Sequence, residues 1–191
     1  MIQRPAWWLF LLTYLSVCPY PVAVPEPARK PPATRQELIG AWQLVSIQWV
    51  GPNVRTTDPF FNADTTGILI YDPSGWMSVQ IAGQPRPSMD APVSRPAGPH
   101  ALETAQIEAA VLDTYYAYAG QWKYDRATAT VSHNVKTALI PGEIGLRYSQ
   151  TVSLEGGNLT FTSPRNAPGG VTFQEKVWTR LVRDDSDHPP R

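Results

Sequence analysis

From residue 42 to residue 182 the chain is cut into short segments that alternate apolar and polar positions, each closed by a turn signal. That pattern restricts it to a few β architectures. Residues 42–50 (WQLVSIQWV) are rich in β-branched and aromatic side chains. Residues 66–71 (TGILIY) run into Asp72-Pro73-Ser74-Gly75, where proline presets φ and glycine permits positive φ. Residues 76–82 (WMSVQIA) then return, so 66–82 predicts a hairpin. Segments 121–124, 129–139, 146–154, 158–163 and 172–182 continue the series, with Gly156-Gly157 as a tight hairpin turn. Eight short strands in hairpin succession predict a mainly β fold, an eight-stranded antiparallel up-and-down barrel. Closure removes exposed edges and leaves an interior for side chains or one small ligand. A β-sandwich is the alternative.

One packed helix is predicted over 101–118. Ile107, Ala110, Val111, Thr114, Tyr115 and Tyr118 form one stripe, Glu103, Gln106 and Asp113 lie opposite, and Gly120 ends it. Twenty prolines are about twice an average share, and they are concentrated. Six lie in 19–33, which predicts an extended linker, and five in 83–99, which predicts a long lid or wrapping loop. Ahead of the linker, Arg4 and the apolar run 6–17 (AWWLFLLTYLSV) have the form of a signal peptide ending near Ala23. The chain therefore divides into a leader over 1–23, a linker over 24–37, a barrel over 38–183 and a polar tail over 184–191. The expected location is secreted or periplasmic. Leu15-Ser16-Val17-Cys18 offers a second route: a lipobox whose cysteine would carry a lipid and tether the protein to a membrane.

Gly40-Ala41-Trp42 opens the first strand and Trp178-Thr179-Arg180 lies in the last. Together with GILIYDPSGWMSVQI, YAYAGQWKYD, VSHNV, IPGEIG, VSLEGGNLTF and VWTRL, in that order, these residues resemble the lipocalin-like domain family over about 38–183. The resemblance implies a calycin-type barrel in which Trp42 packs under Arg180 beside Gly40 as structural residues. It also implies either a binder of apolar ligands or an isomerase or cyclase. Two positions depart from the family pattern: Asn134 stands where a second histidine usually follows His133, and Gln150 where an arginine is common.

Chemistry-bearing motifs are scarce. Sixteen basic and sixteen acidic residues give zero formal charge, so nothing global draws the chain to nucleic acid. The three histidines, His100, His133 and His188, have no metal-site spacing, so neither a metal nor a cofactor is expected. The single cysteine sits in the leader, which excludes a disulfide framework. No nucleophile elbow or phosphate loop occurs.

Val131, His133 and Val135 share a face by period two, which carries His133 inward as the candidate catalytic or ligand-binding group. Leu146, Tyr148, Gln150, Val152 and Leu154 form the next inward face. Ile68 and Ile70 against Leu69 and Tyr71 leave the side of Tyr71 open. The candidate ligand-binding residues are then Tyr71, Arg86, Tyr118, Tyr124, His133, Tyr148 and Gln150, with Arg86 over the barrel mouth. Three functions follow: an exported binder of a small hydrophobic molecule, an isomerase or cyclase using His133 as acid or base, and an envelope protein held off a membrane by the linker.

Overall fold

The computed structural model describes residues 31–86, 101–167 and 170–182. The leader, Cys18, His100, His188, the polar tail and most of the proline-rich loop lie outside them. Nine strands form one sheet: β1 (Gly40–Gly51), β2 (Val54–Thr57), β3 (Thr66–Tyr71), β4 (Trp76–Ala82), β5 (Tyr115–Asp125), β6 (Thr130–Ala138), β7 (Arg147–Glu155), β8 (Asn158–Ala167) and β9 (Val171–Arg180). Neighbours pair antiparallel from β3 to β9, and β1 bonds both β3 and β9, which closes an eight-stranded barrel. β1 is long enough to serve three partners. One edge carries β9; the other carries β3 over Gly40–Gln43 and β2 over Gln48–Gly51. The polar β2 (VRTT) lacks an apolar face, so the periodicity reading passes over it.

Alternation sets what faces inward. In β3, Gly67, Leu69 and Tyr71 are buried while Ile68 and Ile70 stay 47% and 44% exposed, which settles the ambiguous face. Val131, His133 and Val135 point in on β6, as period two requires. On β7, Gln150 and Val152 are buried and Tyr148 and Leu154 partly so, whereas Leu146 precedes the strand and is exposed. A bulge between Leu44 and Ser46 switches the parity of β1. Trp42, Leu44 and Ile47 all reach the core because of it.

The helix is shorter than its stripe. It spans Ala101–Asp113, and Tyr115 and Tyr118 belong to β5. The Thr114 hydroxyl bonds back to the Ala110 and Val111 carbonyls, and β4 pairs with β5 along Tyr115–Gln121. Tyr115 to Tyr118 carry both a helical and a strand period, and ladder hydrogen bonds on two sides decide for the strand. None of the helix side chains described is fully buried, and Leu112 is exposed.

Gly120 therefore ends no helix. It sits at a register shift in β5, where a Cβ would stand 2.0 Å from the Asn134 carbonyl oxygen. The predicted turns form as read. Asp72 Oδ1 accepts from the Ser74 amide at 2.8 Å ahead of Gly75 (φ 92°), and Gly156 and Gly157 (φ 56° and 84°) join β7 to β8.

Candidate functional site

One end of the barrel is sealed. The short helix Arg35–Leu38 begins with a capping box: the Glu37 amide donates to the Thr34 hydroxyl, and the Glu37 carboxylate accepts from the Thr34 amide. The helix lies across the strand ends there. Trp42, fully buried, donates Nε1–H to the Leu38 carbonyl at 2.9 Å. The Arg180 guanidinium sits 4.1 Å from the Trp42 ring centre and donates to the carbonyls of Ile39 (2.9 Å) and Glu37. A Cβ on Gly40 would stand 2.7 Å from an Arg180 nitrogen, so the glycine makes room for the stack. Tyr124, an expected cavity residue, instead donates to the Ala33 carbonyl at 2.9 Å and holds the incoming chain. Trp122 is covered by Arg35 at 4.5 Å and bonds the Asp72 carbonyl.

Above this floor lies a cavity of about 560 Å³. Leu69, Val79, Ile81, Phe61 and Phe161 give it apolar walls, and Tyr118, His133, Tyr148 and Gln150 contribute polar groups. Of the sequence candidates, these four meet in one space. Arg86 does not line it; its guanidinium lies 4.8 Å over the Tyr115 ring. Tyr71 does not line it either, and is sealed beneath His133. Gln150 Oε1 accepts from the Ser163 hydroxyl at 3.0 Å.

His133 is held at both nitrogens, by Tyr71 Oη at Nε2 (2.6 Å) and Tyr118 Oη at Nδ1 (2.7 Å). Burial pushes its pKa down to about 3, with the nearby Lys176 charge adding to the effect. The ring is thus neutral at pH 7, with one donor and one acceptor. Partner supply assigns the tautomer. Tyr71 is fully buried off the cavity, where His133 Nε2 is the one acceptor its O–H meets among the described residues, whereas Tyr118 lines the cavity and its O–H can turn into it. Tyr71 therefore donates to Nε2, and Nδ1–H donates to Tyr118. The Tyr118 hydroxyl proton is left to point elsewhere, and Tyr118 lines the cavity.

Period-two reading of β6 and β7 misses two further residues. Asp58, buried just after β2, accepts from Trp49 Nε1 (2.6 Å), Gln174 Nε2 and the Phe60 amide (2.9 Å). Lys176 lines the cavity from β9, and burial pushes its pKa down to about 8, with Asp58 opposing the shift and Arg165 adding to it. No hydrogen bond or ion pair reaches its ammonium among the described residues. The signal for Lys176 was available: it sits two residues before Trp178, and the face of an apolar tryptophan is the inner one. Asp58 leaves only an Asp-Pro turn signal. At the open end, Tyr116 donates to Glu143 Oε2 at 3.1 Å, and Arg147 bonds Asn134 at 3.0 Å.

A model of the lipocalin-like domain matches residues 39–181. The chain belongs to that family. A comparison with functionally curated proteins finds no match. The matched span covers all nine strands and both members of the Trp42–Arg180 stack. Barrels of this lipocalin-like kind have an interior suited to one small ligand. Here the sealed end, the apolar walls and the few inward polar groups define where that interior lies.

Proposed function

We propose that this lipocalin-like protein binds one small amphipathic molecule inside its barrel. The cavity of about 560 Å³ carries the reading: it lies within the usual range for small-ligand sites, roughly 300–1,000 Å³, with apolar walls and a few converging polar groups. Trp178 lines it and serves as an internal reporter. Titration with aliphatic alcohols and acids, terpenoids and flavonoids is expected to quench tryptophan emission saturably, with one molecule per chain. Linear quenching with every compound would remove the reading.

The isomerase or cyclase alternative needs His133 as acid or base. Both of its ring nitrogens are engaged and its pKa is about 3, so His133 serves better as the residue that orients Tyr118. Binding is therefore the function the geometry favours.

Export is part of the same proposal. It is supported by the apolar run at 6–17 followed by a proline-rich linker. Mass analysis of the protein recovered from the cell envelope or medium tests it: a mature start after Ala23 indicates free export, and a lipid mass on Cys18 a tether. An intact leader on protein confined to the cytoplasm would contradict export.

A further inference from the structure

The polar groups of the cavity are unbalanced toward donors. Three of its acceptors already have donors: Asp58 accepts three hydrogen bonds, Gln150 Oε1 accepts from Ser163 and Glu143 accepts from Tyr116. Several donors are not so engaged. No hydrogen bond or ion pair reaches the Lys176 ammonium among the described residues. In the tautomer set by Tyr71, the Tyr118 hydroxyl accepts from His133 Nδ1–H and keeps its own proton to give. Trp178, next on the same face of β9, has a buried Nε1–H with no acceptor. Lys176 and Tyr118 belong to one part of the interior: Lys176 pairs across the ladder with Phe161, whose ring lies 6.4 Å from the imidazole that Tyr118 holds at 2.7 Å, and all four line the cavity.

We propose that the cavity takes an amphipathic carboxylate, with its ionised head at the Lys176 ammonium and the Tyr118 hydroxyl and its apolar part against Leu69, Val79, Ile81 and Phe161. This rests on the ligand-binding reading above and specifies its ligand class. A carboxylate brings a full negative charge and about four lone-pair sites to a place that has donors to spare. A neutral molecule would leave the half-buried ammonium with no hydrogen-bonding counter-charge. A cationic one would face Lys176 with like charge, and with Arg147 and Arg165 the cations lining the cavity outnumber its carboxylates, Asp58 and Glu143, by three to two. Asp58 offsets part of the Lys176 charge through space, but its oxygens already accept three hydrogen bonds, and none comes from Lys176.

The test compares decanoate, decanol, methyl decanoate and decyltrimethylammonium on the full chain by tryptophan quenching and calorimetry. Decanoate is expected to bind about tenfold or more tightly than decanol, the size of one charge-assisted hydrogen bond. Lys176→Met, which keeps the length and apolar stem, is expected to abolish the preference for decanoate over decanol. Lys176→Arg is expected to keep the preference, and it serves as the folded control. If decanol and the ester bind but decanoate gains nothing over them, or if Lys176→Met retains the preference, the carboxylate site is overturned and the binding function stands. If none of the four binds, both fall.

Discussion

His133 is an inward polar residue whose work is done through its neighbours. Tyr118→Phe leaves its Nδ1–H without an acceptor, and a buried unsatisfied donor costs about 1–3 kcal/mol. Chemical denaturation should show that loss. Tyr71→Phe removes the donor that fixes the tautomer, and is expected to cost a similar amount and to weaken ligand binding without touching the cavity wall. Titration has a definite sign. The folded pKa of His133, about 3, lies below the unfolded value of about 6.5, so the unfolded chain binds the extra proton. Stability from this group is full above pH 6.5 and declines as pH falls from 6.5 toward 3. The slope approaches about 1.4 kcal/mol per unit relative to His133→Gln, best read between pH 6.5 and 5, before most carboxylates protonate. For Lys176, which faces Asp58, Arg165 and His133, the folded pKa of about 8 lies below its ordinary value. Carboxylate affinity should therefore fall as pH rises past about 8, and alcohol affinity should not. The inward direction of His133 was legible from Val131 and Val135. Its tyrosine partners were not, since Tyr71 lies 62 positions away and the two meet only because β3 and β6 face each other across the interior.

Elements show where local pattern stops being decisive. The β3–β4 and β7–β8 hairpins follow from turn chemistry alone, because Pro73, Gly75, Gly156 and Gly157 dictate backbone angles without help from tertiary contacts. The helix–strand boundary at Thr114 does not follow, because Tyr115 and Tyr118 fit both periods and only pairing with β4 and β6 chooses between them. Gly120 carries the clearest element-scale prediction. Gly120→Ala drives a methyl into the Asn134 carbonyl, and the strands must separate to admit it. A loss of about 3 kcal/mol, at the upper end for overpacking, is expected in urea unfolding. Gly157→Ala is the contrast: its Cβ meets nothing, so it carries only the strain of positive φ and should cost less.

At the scale of the molecule, closure and content are separate achievements. Closure depends on β1 reaching both β3 and β9, and the Arg180–Trp42 stack pins that seam beside the helix Arg35–Leu38. Arg180→Ala should lower stability by about 1–3 kcal/mol, through the stack and two carbonyl bonds, while leaving ligand affinity within a few-fold. The barrel and its seam were legible because they rest on strand count and on two short motifs at opposite ends of the domain. The donor-rich interior was less so: Lys176 and Asp58 acquire meaning only once β9 and the segment after β2 are seen to share a cavity. That the cavity is a ligand site is the central claim, and a filled-cavity variant tests it most directly. Val79 lies on an interior strand with its side chain on the wall. Calorimetric titration of decanoate into the native chain and into Val79→Trp, with thermal melts of both, gives the answer. The account predicts one site per native chain and at least a tenfold loss in a Val79→Trp variant that still melts cooperatively. Undiminished binding in that folded variant would contradict it.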